Sequence, residues 1–221
     1  GHFRRKTNAL GQSYPVIIIN QQEYCVDIQE MALWTALNWR LLDFSQIEAE
    51  YNKLDQDCTI PARRTLENCL GRLCTRGLVA SGTGETGFEA LYDLLGGLYV
   101  TPLSESLPLR LATFLKLTVL KGVSISKARE LFRRDRPNEQ EAQVMALSRQ
   151  ALLSTAELVK CAEVGAKDIS TDEKLMDALY NDDDTTSDNI VDMMLTAESR
   201  ERVTVAIANL YLRKQIIFQR V

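Results

Sequence analysis

Four arginines fall within one short segment of the chain, residues 59–77, where Glu67 is the only acidic residue. Four positive charges against one negative charge give the segment a local charge of +3, although the formal net charge of the chain is −4. Arginine pairs in bidentate fashion with guanine edges and with phosphates, and asparagine pairs with adenine. Side chains of these types could therefore bind phosphates or the polar edges of bases. The candidate residues are Arg63, Arg64, Asn68, Arg72 and Arg76.

The spacing of apolar residues predicts one helix over this segment. Thr59 is suited to cap its N-terminus, Pro61 fits its first turn, and Gly77 is typical of the position after a helix. Because an α-helix repeats about every 3.6 residues, the polar side chains fall opposite the apolar stripe. The expected buried stripe is Ala62, Leu66, Cys69, Leu70 and Leu73. The expected exposed side is Arg64, Asn68, Arg72 and Thr75, flanked by Arg63 and Arg76.

Shorter elements surround this helix, in the predicted order strand, helix, helix, helix, strand and glycine-rich loop. The first strand lies in a β-branched run, and periodic apolar residues indicate the helices. A basic stretch before the first strand, Arg4–Lys6, is expected to be a loose arm. The other predicted elements are a strand within residues 14–27, helices over 29–42 and from Phe44, a strand at Leu78–Ser81 and a loop at Gly82–Gly87.

This order of elements, with a basic third helix, resembles a winged helix-turn-helix domain over residues 14–104. The resemblance is at the level of the superfamily. It implies that the third helix enters the major groove of DNA and that a hairpin wing touches phosphates. The residues that it assigns to the groove are Arg63, Arg64, Asn68 and Arg72, and those that it places near the wing are Thr83 and Thr86.

The chain departs from the family pattern after the loop. Apolar spacing predicts a short helix at Phe88–Leu95 and a returning strand at Leu98–Thr101. In winged-helix domains the second wing strand follows the loop directly. A helical insertion at this point would shorten or remove the wing.

Net charge leaves a second function open. Residues 1–104 contain 9 basic and 12 acidic side chains, which gives −3, and residues 105–221 contain 17 and 18, which gives −1. Neither part is basic overall, and solvated arginines on an exposed helix face are common. The main hypothesis is a DNA-binding transcriptional regulator. The alternative is a winged-helix-like adaptor that binds a protein or peptide partner and not DNA.

The second part, residues 105–221, is predicted to be an all-helical domain for dimerisation or effector sensing. Its long amphipathic last helix is of the kind that forms homodimers, because a two-fold axis lets one recognition surface bind two half-sites. Closure of the protomer's own core is the other explanation of that helix. The predicted helices span residues 108–121, 127–134, 138–164, 171–180, 187–195 and 197–218.

Two charged segments of the second part have compositions that could form sites. The basic cluster Lys127–Arg136 follows a turn that weakly resembles a second helix-turn-helix, and ion pairing between helices is the preferred explanation of its charges. The acidic segment Asp182–Asp188 lacks the glycine and the terminal glutamate of a calcium loop. It is expected to be a solvated loop.

Composition and motifs exclude most familiar chemistry. The chain has one histidine, His2, and five cysteines without a CxxC pair, so neither a catalytic triad nor a metal site is expected. P-loop, GxGxxG and G-x-S-x-G motifs are missing. No apolar run reaches the length of about eighteen residues that spans a bilayer, and no secretory pattern occurs. We therefore expect a cytoplasmic protein of mainly α, α+β fold that is not an enzyme and has no cofactor, metal or membrane contact.

Overall fold

The computed structural model describes residues 2–19, 21–57, 64–103, 137–182 and 184–219. The chain divides into two compact units, unit 1 from Gly1 to Gly82 and unit 2 from Thr83 to Val221. The division therefore comes earlier than the boundary predicted after residue 104. The reason is that the strand ending at Pro102 pairs with strands much later in the chain.

Unit 1 begins with an antiparallel sheet of three strands, β1 (His2–Thr7), β2 (Ser13–Ile19) and β3 (Gln22–Cys25), in the order β1-β2-β3. The register places Arg4 of β1 opposite Val16 of β2. The expectation of a loose basic arm was wrong, because the arm is strand β1. Its polar side chains gave no alternating pattern from which a strand could be predicted.

Three helices follow in unit 1: α1 (Ile28–Leu37), α2 (Phe44–Asp57) and α3 (Leu66–Thr75). Helix α1 ends earlier than the predicted residue 42, because Asn38 is extended and Trp39 has a left-handed φ of 61°. Helix α3 begins with Thr65 as its N-cap, whose side chain accepts a hydrogen bond from the Asn68 N–H. The predicted cap Thr59 and first-turn Pro61 lie outside the described residues.

The core of unit 1 lies between the sheet and the three helices. Trp34 of α1 is part of it, and its indole N–H donates to the Leu78 carbonyl at 3.2 Å. The apolar stripe predicted for α3 is largely confirmed, since Leu66, Cys69 and Leu73 are buried. The core residues are Ile17, Val26, Leu33, Trp34, Ile47, Tyr51, Leu66, Cys69, Leu73 and Leu78.

The segment after α3 is not a strand. Gly77 adopts a left-handed φ of 68°, and the N–H groups of Leu78 and Val79 both donate to the Leu73 carbonyl, at 2.9 and 3.3 Å. These bonds close the C-terminus of α3 in the manner of a helix cap. The strand predicted at Leu78–Ser81 is therefore wrong, and the described residues contain no wing hairpin at this point.

Unit 2 combines helices with a second small sheet. The predicted short helix is confirmed as α4 (Gly87–Leu95), and the predicted returning strand as β4 (Tyr99–Pro102). Strand β4 is the middle strand of the antiparallel order β5-β4-β6, with β5 at Leu153–Ser154 and β6 at Ile216–Gln219. The expectation of an all-helical second part was therefore wrong.

Several of the remaining helices of unit 2 are shorter than predicted. Strand β5 divides the predicted helix 138–164 into α5 (Glu139–Leu147) and α6 (Thr155–Glu163). Helix α7 (Asp172–Tyr180) has the predicted cap, Thr171. The described residues that follow form α8 (Ile190–Met193), a 3₁₀ turn (Met194–Thr196) and α9 (Arg200–Leu212). The predicted helices over 108–121 and 127–134, and the cluster Lys127–Arg136, lie outside the described residues.

Helix α9 is at the centre of unit 2, where it packs against α4, α5 and α6. The prediction that it continues to residue 218 was wrong, because Lys214 has a left-handed φ of 59° and the chain turns into β6. The apolar side of α9 closes the core of its own unit. The buried residues of α9 are Val203, Thr204, Ala206, Ile207, Ala208 and Leu210.

Candidate arginine cluster on helix α3

The structure brings three of the candidate arginines together, but not on an open helix face. Arg64 precedes α3, Arg72 lies in its last turn, and Arg76 is its C-cap residue. All three guanidinium groups pair with the same carboxylate, that of Glu30 on α1. Arg63 lies outside the described residues.

Glu30 is the buried centre of this arrangement, with its side chain only 1% exposed. Its Oε1 accepts from Arg72 Nε at 2.5 Å and from Arg64 Nη1 at 3.4 Å. Its Oε2 accepts from Arg76 Nη1 at 3.4 Å. Asp27 completes the group through an ion pair with Arg64. We refer to Asp27, Glu30, Arg64, Arg72 and Arg76 as the Glu30 cluster.

Burial explains why one carboxylate gathers three cations. A buried carboxylate is stable only when cations and hydrogen-bond donors replace the lost water. The Glu30 carboxylate raises the pKa of Arg72, first through their hydrogen bond and then through charge attraction. Three guanidinium groups against two carboxylates leave the cluster with a net charge of +1. Arg72 is exposed as expected, at 51% of its side chain, but the pairing of all three arginines with acidic side chains was not expected.

The Glu30 cluster also ties elements of unit 1 together. Arg76 Nη2 donates to the carbonyl of Cys25, at the end of β3, at 2.5 Å. The Arg64 carbonyl accepts from the Tyr51 hydroxyl of α2 at 3.0 Å, and the Arg64 N–H donates to Gln29 Oε1 of α1 at 3.3 Å. These contacts hold the start and the end of α3 against the rest of unit 1.

An exposed polar face remains on α3. Asn68, Gly71 and Thr75 are exposed, and the Arg72 side chain is 51% exposed. Glu67 lies on the same side and is also exposed. This face therefore carries neutral polar groups together with one arginine and one glutamate, so it has no excess of cations.

Thr83 belongs to unit 2, where it is used to fix the loop before α4. Its N–H donates to Asp93 Oδ2 at 2.7 Å, and its hydroxyl donates to the same oxygen at 3.4 Å. Thr86 is the N-cap of α4 and forms a capping box with Glu89. These donors have partners within unit 2, contrary to what a phosphate-binding wing requires.

The described residues offer few other sites. They contain no group of three or more His, Cys, Asp or Glu side chains placed to hold a metal ion. The cysteines among them are free thiols, and burial raises the pKa of Cys161 to about 12. In the same ranges, no helix has both the length and the apolar character needed to cross a membrane.

Sequence reasoning missed Glu30 and Asp27. A local signal was present, because an aspartate followed three residues later by a glutamate is typical of a capping box. The structure contains that box, with Asp27 Oδ1 accepting from the Glu30 N–H at 2.9 Å. The box predicts where α1 begins. It does not predict that Glu30 is buried against three arginines 34 or more positions away in sequence.

Comparison of the chain with protein-family models, with curated proteins and with solved structures finds no match.

Proposed function

We propose that unit 1 is an adaptor module that binds a protein or peptide partner, and that it does not bind DNA. The observation that supports this proposal is the pairing of Arg64, Arg72 and Arg76 with the buried carboxylate of Glu30. The hypothesis of DNA binding depended on those same arginines.

The physical argument concerns counterions. Proteins gain much of their affinity for DNA because their cations replace ions condensed on the phosphates. Part of the positive charge of these guanidinium groups is compensated by the buried carboxylate before DNA arrives. Using such a guanidinium group for a phosphate would weaken its pairing with Glu30, whose carboxylate is 1% exposed and therefore poorly accessible to solvent.

The formal charge of α2 favours the same conclusion. The segment Phe44–Asp57 contains four acidic residues and one lysine, which gives −3. Among its exposed side chains is Glu48. In a helix-turn-helix the helix before the recognition helix crosses the DNA backbone. An acidic helix in that position would repel the phosphates.

A protein partner suits the face that remains. Protein interfaces use arginines with fixed geometry together with neutral polar groups, and they do not require an excess of cations. Arg72 is held in one geometry by Glu30 while half of its side chain stays exposed. Asn68 and Thr75 supply exposed neutral donors and acceptors beside it.

DNA binding by a transcriptional regulator is the second candidate function. It is favoured by the exposure of Arg4 and Arg5 on β1 and of Asn68 on α3. In this proposal Asn68 and Arg72 contact bases, and a homodimer built through unit 2 presents two copies of α3. A cytoplasmic location belongs to either function.

One titration separates the two candidates. Fluorescence anisotropy of mixed-sequence duplexes is recorded with the full chain at about 50 mM salt and at higher concentrations. The adaptor proposal predicts no salt-dependent binding. Binding that weakens steeply as salt increases, and that Asn68→Ala reduces by about 1–3 kcal/mol on adenine-containing sites, would instead support the regulator.

A positive test of the adaptor proposal uses selection from a displayed peptide library. The full chain is the bait, and each enriched peptide is then measured against Asn68→Ala, Arg5→Glu and the matched variant Lys167→Glu in unit 2. The proposal predicts peptides whose binding is weakened by a unit 1 variant and unchanged by Lys167→Glu. The proposal fails if no peptide is enriched, or if neither unit 1 variant weakens any of them.

A further inference from the structure

Strand β1 forms one edge of the unit 1 sheet. In the order β1-β2-β3 it pairs with β2 on one side, and no strand of the described residues pairs with its other side. Every second residue of such a strand directs both its N–H and its carbonyl away from the sheet. The outer side of β1 therefore presents a row of hydrogen-bonding groups suited to another extended chain.

The side chains of β1 give that edge a strong charge. Paired residues of an antiparallel sheet lie on the same face, so Phe3 and Arg5 share the face of Ile17, and Arg4 and Lys6 share that of Val16. Arg4 and Arg5 are exposed, and Phe3 is 44% exposed. Positive charge thus projects from both faces of one edge strand.

One of the three cations is already used within the sheet. Lys6 forms an ion pair with Glu23 of β3 at 2.5 Å. For Arg4 and Arg5, no acidic partner occurs within the part of the chain that the structure describes. The charge that this edge can offer to a partner therefore comes from two arginines on opposite faces of β1.

We infer that the outer edge of β1 binds an acidic peptide in extended conformation, which adds a fourth strand to the sheet of unit 1. This inference rests on the adaptor proposal and specifies its partner class. Hydrogen bonds to the outward N–H and carbonyl groups of β1 supply the affinity for the added strand. Arg4 and Arg5 supply the preference for acidic side chains, and Phe3 adds an apolar contact on the face of Arg5.

The charges of Arg4 and Arg5 also disfavour other binding partners at the edge of β1. Two copies of β1 side by side would place arginines opposite arginines, and like charges in that position are destabilising. Basic edge strands commonly prevent such self-association. Nucleic acid has no backbone that matches a strand edge, and two arginines release too few counterions for firm binding. An acidic extended chain satisfies both the edge and the charges.

The test uses synthetic peptides of about nine residues, the length of an ordinary strand, labelled with a fluorophore. One peptide alternates glutamate and valine, a second alternates lysine and valine, and a third is the glutamate peptide with proline at alternate positions. We expect the full chain to bind the first peptide and neither of the others. Amide exchange of residues 3–7 should slow when the first peptide is bound, because their outward N–H groups become bonded.

Charge reversal provides the matched comparison. Arg5→Glu should weaken binding of the glutamate peptide by about fivefold to tenfold, whereas Lys167→Glu, an equal change on unit 2, should leave it unchanged. Circular dichroism of both variants establishes that they remain folded.

Three results would overturn the inference. They are equal binding of the lysine peptide, binding of the glutamate peptide without slower exchange in β1, and no binding of it at all. If library peptides bind α3 and Asn68→Ala removes them, the strand inference fails and the adaptor proposal stands. Salt-dependent duplex binding that Arg5→Glu abolishes contradicts both.

Discussion

Glu30 shows how one buried side chain can change the role of three arginines, a residue type that usually lies at the surface. Arginine and glutamate are almost never fully buried unless they are paired. In unit 1 the 1% exposed carboxylate forces Arg64, Arg72 and Arg76 to serve the fold. Removing the carboxylate leaves cations without compensation, so the stability of unit 1 should depend on it more than on any surface acid.

The first prediction concerns Glu30→Gln. Removal of one partner from a buried ion pair costs about 3–5 kcal/mol, and we expect about 3 kcal/mol because the guanidinium groups keep part of their exposure. Urea unfolding monitored by tryptophan fluorescence measures the change, since Trp34 lies in the same core. The matched variant Glu48→Gln, on the exposed side of α2, should change stability by less than about 0.5 kcal/mol. Equal effects of the two substitutions would refute a stabilising role for Glu30.

The second prediction concerns the pH dependence of Asp182 in unit 2. Hydrogen bonds from the Lys160 ammonium and from the Thr185 N–H hold the pKa of this carboxyl well below its usual range. A depressed folded-state pKa stabilises the protein above the unfolded pKa, and the contribution is lost as pH falls.

Asp182→Asn should therefore be less stable than the wild type at neutral pH. The difference should shrink as pH falls below about 5, because the unfolded wild type then binds a proton that the folded carboxyl does not bind. Urea midpoints at a series of pH values measure it. Asp177→Asn, exposed on α7 and without an ion pair in the described residues, is the control. A difference in stability that grows toward low pH would contradict a lowered pKa of Asp182.

At the scale of elements, the sequence predicts local structure, such as where a helix begins, better than it predicts which strands pair. The capping residues Asn138 and Thr171 predict the starts of α5 and α7, because a cap acts within one turn. The break of the predicted helix 138–164 at β5 could not be foreseen. Strand β5 has two residues, and it exists because Leu153 pairs with Val100, which is 53 positions earlier.

The candidate site shows the same limit. The composition and apolar stripe of α3 were visible in the sequence, and the stripe is buried as predicted. What the polar side chains contact depends on how α1 packs against α3. A residue in α1 could not be linked to Arg72 from periodicity alone, because periodicity describes one helix at a time.

The third prediction concerns the N-terminus of α5. Asn138 accepts from the Glu141 N–H at 2.8 Å, and Glu141 accepts in return from the Asn138 N–H at 3.0 Å. Asn138→Ala should destabilise the protein by about 1 kcal/mol through the loss of this cap. Asn138→Ser, which keeps a capping oxygen, should lose clearly less. Urea unfolding followed by circular dichroism measures both, and equal losses would mean that the cap is not the cause.

At the scale of the whole molecule, the chain divides into two compact units. Ile207 is fully buried in the middle of α9, a helix that packs against α4, α5 and α6 of unit 2. Ile207→Ala should cost about 2–5 kcal/mol. We expect amide exchange to become faster throughout the described helices of unit 2 and to stay unchanged in those of unit 1. Equal acceleration in both units would show that they unfold as one.

The most direct measurement of the central claim observes the Arg72 side chain by NMR. The claim is that Arg72 Nε, 2.5 Å from Glu30 Oε1, is already engaged and so is not offered to DNA. We predict an Nε–H signal that is protected from exchange with water, that loses its protection in Glu30→Gln, and that does not shift when a mixed duplex is added at low salt. An Nε–H that exchanges as fast as that of a free arginine, or that shifts with duplex in a salt-dependent manner, would contradict the claim.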